Sequence, residues 1–185
     1  MIKQYLITDP SYYTSSPDTL LQTLLHVKAR HRVDYICLRD KSTNAYEALA
    51  QHIAAAKDAL GDSKLFLHTH VALATKLHVD GIHLTSTQIN EIPLAKALNL
   101  EVIISTHSLE EALEAEKQGA DAITFSPIFH SPGKANPVGL EKLKEINDRI
   151  HIKCFALGGI VTPEHIRACE AVGVEGFASI RFFLD

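Results

Sequence analysis

The chain has 185 residues, enough for one domain with a substantial core and short for two. Its 46% hydrophobic residues, with no apolar run approaching ~18, exclude a disordered chain and a membrane-spanning helix. A net charge of −4 with both signs interspersed leaves no basic stripe for nucleic acid, so an acidic small substrate would need a local pocket.

Short apolar strands alternate with amphipathic helical patterns from residue 3 onward. Gln4 to Thr8 reads as strand one. Leu20, Leu21, Leu24, Leu25 and Val27 recur at helical spacing between Asp18 and His31, and Val33 to Arg39 is strand two. Ser42-Thr43 is predicted to cap one long helix running to Leu60, with Gly61 as its stop. Lys64 to Thr69 is strand three, a short helix covers Val71 to Leu77, and Ile82 to Thr85 is strand four. Ser86-Thr87 opens a helix to Leu98, and Glu101 to Thr106 is strand five. Ser108 and Glu111 have capping-box spacing before a helix that Gly119 ends. Strand six begins at Ala122. A helix from Leu140 to Ile150, strand seven from Ile152 to Leu157, a Thr162-capped helix from Pro163 to Val172, and strand eight from Gly176 to Ile180 follow.

Eight strands and seven helices in strict alternation predict a single-domain α/β fold over 1–185: a compact (β/α)8 TIM barrel with a truncated or missing last helix. The alternative is an open doubly wound sheet. Phe182, Phe183 and Leu184 would then lack a covering helix, so burial by a second subunit, a homodimer, is expected. The opening MIKQYLITDP reaches Asp and Pro too early for a signal peptide, and a cytoplasmic location is expected. Cys37, Cys154 and Cys169 form no CxxC pair, and the eleven histidines no HExxH, so no metal site is predicted.

In a barrel the strand C-termini converge on one mouth. That rule gathers Arg39 and Lys41, His68 and His70, His83 and Thr85, Ser105 and His107, and His130 with Lys134. Arg39 shares a strand face with Tyr35 and Cys37 and is suited to clamp an anion. The loop Ser126 to Val138 is broken by three prolines and Gly133, and its His130, Ser131 and Lys134 offer an imidazole, a hydroxyl and an ammonium. Leu157-Gly158-Gly159-Ile160 before the Thr162-Pro163 helix start has the makings of a phosphate site, with Ile180 at the end of strand eight and Arg181 just beyond it beside the same site. Each has a bland reading: a lone histidine at a strand end is commonly scaffolding, and ordinary turns use Gly-Gly.

The run from Thr106 to Phe129, together with Gly133-Lys134, the GLEKLKEI and ALGGI segments, Thr162-Pro163-Glu164, DGIHL at 80–84 and LRDK at 38–41, resembles the thiamine phosphate synthase superfamily, especially its thiazole tautomerase (TenI-like) branch. The resemblance covers almost the whole chain and implies a barrel that binds a phosphorylated thiazole, commonly as a dimer. By position it implies that Arg39 and Lys41 belong to a pyrimidine-diphosphate motif whose glutamine is here Cys37. Ser105 matches a serine contacting the pyrimidine. Ser131, Pro132, Gly133 and Lys134 replace a Thr-Pro-Thr-Lys segment, Gly159 matches a phosphate-binding glycine, and Arg181 stands where a serine is usual. The two magnesium-ligand regions of the synthase fall on His68-Thr69 and on Gln88, without carboxylates. The expectation is therefore a metal-free, cofactor-free isomerase acting on thiazole carboxylate phosphate. The tautomerase's own base position is Pro127, leaving His130, His68 or His83 to move the proton. The alternatives are the synthase itself, with magnesium, and a silent ligand-binding or regulatory barrel.

Overall fold

The computed structural model describes residues 1–184. Eight parallel strands pair in sequence order and β8 returns to β1, closing the barrel. The strands are β1 (Lys3–Ile7), β2 (Tyr35–Leu38), β3 (Lys64–His68), β4 (Gly81–Leu84), β5 (Glu101–Thr106), β6 (Ala122–Phe125), β7 (Lys153–Leu157) and β8 (Gly176–Ser179). The helices are α1 (Pro17–Arg30), α2 (Tyr46–Ala55), α3 (Val71–Lys76), α4 (Ile92–Ala97), α5 (Leu109–Gln118), α6 (Gly139–Arg149) and α7 (Pro163–Val172). The open-sheet alternative is thereby excluded. Among the described residues no helix is long and apolar enough to cross a membrane.

Strand side chains alternate between two cores, which is why the strands read as continuous apolar runs. Tyr5, Tyr35, Phe66 and Phe155 fill the barrel interior, whereas Leu6, Ile36, Leu65 and Ile82 pack outward beneath the helices. Register follows this division: Leu6 is level with Ile36 on one side and Ser179 on the other. Space for the large aromatics comes from glycine, since a Cβ at Gly81 would stand 2.3 Å from the Phe66 ring.

Local chemistry moves several predicted boundaries. Ser42 and Thr43 do not cap α2: the Ser42 hydroxyl donates to Asp40 at 2.8 Å, Thr43 Oγ1 accepts from the Ala45 amide at 3.1 Å, before the helix, and α2 starts only at Tyr46. The expected long helix also ends at Ala55, and residues 57–60 turn as a tighter 3₁₀ segment closed by Gly61. Thr85, not Ser86-Thr87, forms a capping box with Gln88, and a 3₁₀ turn over 86–91 precedes the short α4. Ser108 Oγ accepts from the Glu111 amide at 3.1 Å, but the Glu111 side chain accepts from His107 rather than from Ser108. Among the described residues no eighth α-helix follows β8. A single 3₁₀ turn, Phe182–Leu184, lays Phe183 over Phe177 and His31, leaving it 1% exposed, so Phe183 is covered from within and needs no partner subunit.

Candidate active site at the mouth of the barrel

The strand C-termini surround one cavity of about 630 Å³. Arg39, Lys41, His68, His83, Ser105, Ser131, Lys134, Gly158, Gly159, Ile180 and Arg181 all line it. His130 does not: it is exposed, outside the lining, and only its backbone carbonyl approaches the site, beneath Gly159. The expectation that His130 works inside the cavity is corrected accordingly.

One side of the cavity is cationic. Thr8 Oγ1 accepts from the Arg39 amide at 2.9 Å and donates to the Arg39 carbonyl at 3.1 Å, fixing the backbone from which the guanidinium projects. Asp9 at the end of β1 holds Arg39 Nη1 at 2.5 Å. Burial pushes the Asp9 carboxyl up, but hydrogen bonds from Ser11 and Arg39 outweigh it and keep it below the usual range. Lys41 is pushed below its ordinary pKa by partial burial and by the charges of Arg39 and Lys134. The loops after β2 and β6 thus bring three cations together with one carboxylate among them.

The opposite side is made of backbone. Gly158 and Gly159 have φ of +103° and +69°, and a Cβ at Gly159 would lie 2.4 Å from the His130 carbonyl oxygen. The loops after β6 and β7 are bonded directly, Ile128 N–H to Leu157 O at 3.0 Å and Phe129 N–H to Gly158 O at 2.9 Å. The amides of Gly159, Ile160, Ile180 and Arg181 donate to no acceptor among the described residues. Free amides along one cavity wall suit a phosphate. Tyr13 Oη donates to the Ile180 carbonyl at 2.7 Å, and Arg181 lies over the Tyr12 ring at 6.0 Å, so the loop after β1 braces this side.

Between the two sides lie two imidazoles with ring centroids 5.9 Å apart. His83 is 3% exposed and bonded at both nitrogens, Nδ1 to Tyr5 Oη at 2.7 Å and Nε2 to Ser105 Oγ at 3.0 Å. Burial, then Arg39, pushes its pKa down to about 3. His68 is also pushed down to about 3, by burial first and then by His83, Arg39, Lys41 and His70. Its backbone is pinned by Tyr46, whose hydroxyl accepts from the His68 amide at 3.1 Å and donates to Leu38 O at 2.6 Å. Its ring nitrogens bond to no group among the described residues, leaving a neutral imidazole with a lone pair inside the cavity.

The family model described as thiamine monophosphate synthase matches residues 4–183. The chain belongs to this family. A putative thiamine-phosphate synthase 2 of Aquifex aeolicus is 35% identical over 187 residues, covering 98% of this chain and 97% of that protein. The thiamine-phosphate synthase of Halalkalibacterium halodurans is 34% identical over 165 residues, covering 84% and 75%. Among solved structures, the thiamine phosphate pyrophosphorylase of Pyrococcus furiosus matches with a TM-score of 0.79 at 29% identity, covering 97% of this chain and 85% of that one.

Set against the magnesium that resemblance to the thiamine monophosphate synthase family implies, the donors do not fit. Asp9 is the carboxylate in the lining, and it is committed to Arg39. Gln88 spends its amide on Thr69 O at 3.2 Å, Glu91 at 3.0 Å and the Thr85 N–H at 3.1 Å. A hard cation asks for several free oxygens, and among the described residues no group of three or more His, Cys, Asp or Glu is placed to hold one.

Proposed function

We propose that this chain joins a pyrimidine diphosphate to a thiazole phosphate, giving thiamine phosphate, the activity for which its relatives are named. The observation that carries this reading is a single cavity with two unlike anion sites. The free amides of Gly159, Ile160, Ile180 and Arg181 would hold the monophosphate, and Arg39, Lys41 and Lys134 the diphosphate. As the thiazole nitrogen bonds to the pyrimidine methylene carbon, the carbon–oxygen bond to diphosphate breaks and negative charge grows on the leaving group. Three side-chain cations in a partly dry site would stabilise that charge. The expected product is therefore thiamine phosphate made without a carboxylate-bound metal.

A second reading, thiazole tautomerisation, is favoured by His68. Its neutral imidazole has a free lone pair to accept a proton; burial first, then His83, Arg39 and Lys41, holds its pKa down, and an anionic substrate would offset the Arg39 and Lys41 part of that. The relatives' names support the coupling over this isomerisation.

Incubation with both coupling substrates, with magnesium and with chelator, followed by oxidation to fluorescent thiochrome, tests the first reading. Acceleration of only the ultraviolet change of the non-aromatic thiazole carboxylate phosphate would select the second. Neither reaction, with thiazole phosphate raising the melting temperature, would mark a binding protein. The reading also includes a cytoplasmic homodimer, which sedimentation equilibrium giving only a monomer would remove.

A further inference from the structure

Tyr5, His83 and Ser105 form a hydrogen-bonded line from the centre of the barrel to the cavity wall. Tyr5 is fully buried, with Tyr35, Phe66 and Phe155 rings within about 6 Å by centroid, and stacks on His83 at 5.7 Å. Burial first, then Cys37 and Glu101, raises its pKa well above 10, so it keeps its proton. That proton needs an acceptor, because a hydroxyl without one inside an apolar plug loses its hydration for nothing in return.

Two arrangements fit the distances. In one, Tyr5 donates to Nδ1, Nε2–H donates to Ser105 Oγ, and the serine proton is left to point into the cavity. In the other, Nδ1–H donates to Tyr5, Ser105 donates to Nε2, and the phenol proton has only the Cys37 thiol, a weak acceptor. The first satisfies every buried donor. Ser105 Oγ has no further protein partner among the described residues, so its proton is free for a ligand.

We propose that Tyr5 and His83 are positioning residues that set the polarity of Ser105, making its hydroxyl a donor and the cavity selective for a ligand acceptor at that point. An unprotonated ring nitrogen or a carboxylate oxygen takes up this proton, whereas an N–H would meet only the remaining lone pair of Ser105 Oγ and leave the proton without an acceptor. His83 is then structural in its protonation, and the lone pair available for proton transfer belongs to His68. The inference deepens the reading of this cavity as a substrate site and rests on it.

Nitrogen-15 NMR of the ligand-free protein reads the tautomer directly. His83 is expected with Nε2 protonated and Nδ1 bare, and the reverse overturns the proposal. A double-mutant cycle with the pyrimidine diphosphate as probe, the ligand whose ring Ser105 would contact, then separates positioning from packing. Tyr5→Phe should weaken binding about threefold or more in the native chain and change nothing in the Ser105→Ala background, whereas equal losses in both would make Tyr5 a packing residue and overturn it. Failure of the pyrimidine diphosphate to bind the native chain would remove the function proposed above, while the tautomer measurement would still decide this one.

Discussion

Asp9 Oδ2 and Arg39 Nη1 meet at 2.5 Å across the ends of β1 and β2, at the lip of the cavity. The carboxylate holds the guanidinium in one direction, towards the space shared with Lys41 and Lys134. Removing Arg39 should weaken pyrophosphate binding tenfold to a hundredfold, the range for charge-assisted bonds of about 1.5–3 kcal/mol. Asp9→Asn should weaken it by less, about threefold to tenfold, through lost orientation. Calorimetric titration with inorganic pyrophosphate reads both, and tighter binding in Asp9→Asn would show Asp9 to be a competitor for Arg39 instead of its support.

Gly159→Ala should destabilise the fold by about 2 kcal/mol or more, because its Cβ would meet the Phe129–His130 backbone at a φ that already strains alanine. Gly133 offers the control. Its φ is also positive, +71°, but nothing lies within 4 Å of a Cβ there, so Gly133→Ala should cost only about 1 kcal/mol. Equal melting temperatures for the two variants would contradict the close approach.

Acid should weaken the fold before the carboxylates titrate. His68 and His83 have folded pKa values pushed down to about 3, below the ~6.5 of the unfolded chain. As pH drops below about 6.5 the unfolded chain takes up protons that the folded chain refuses, so stability falls with pH, by up to about 1.4 kcal/mol per unit for each histidine. Asp9, Asp34 and Asp40, held below the usual carboxylate range, act in the same direction only below about pH 4. Urea unfolding between pH 7.5 and 5 should therefore show a slope that His68→Gln halves. A flat profile would refute the burial of neutral histidines.

Phe183→Ala should cost about 3–5 kcal/mol, the usual range for removing a buried phenylalanine. Phe183 is 1% exposed and stacks at 6.0 Å on Phe177 within the same chain. The loss should consequently be independent of protein concentration; a loss that shrinks on concentration would mean that a second subunit covers it.

The barrel was legible because alternation of apolar strands and capped helices leaves few topologies, and Gly119, Thr162 and Pro163 punctuate the chain as their conformations require. What escaped was decided by side chains competing for backbone. Asp40 engages the hydroxyl of Ser42, and that of Thr43 closes a local turn on Ala45, so neither is left to cap a helix. The cavity lining was legible through one rule, that strand ends face the mouth, and Arg39, His68, His83 and Ser105 do line it. The same rule applied to β1 points to Asp9, two residues past the strand. It failed for His130 because that residue lies five positions beyond β6, where the turn geometry alone decides direction. Tyr5 reads as core and is core; its bond to His83 spans 78 residues and leaves no local trace.

The peptide of Phe129 and His130 lies flush on Gly159, and the carbonyls of Leu157 and Gly158 are bonded to the amides of Ile128 and Phe129. Two segments that carry opposite ends of the binding cavity are thus laminated into one ply. Drift at either must be answered at the other, and a lineage that remodels the Ser131–Lys134 tip to accept a new partner molecule can do so only while hydrogen stays the sole side chain at 158 and 159.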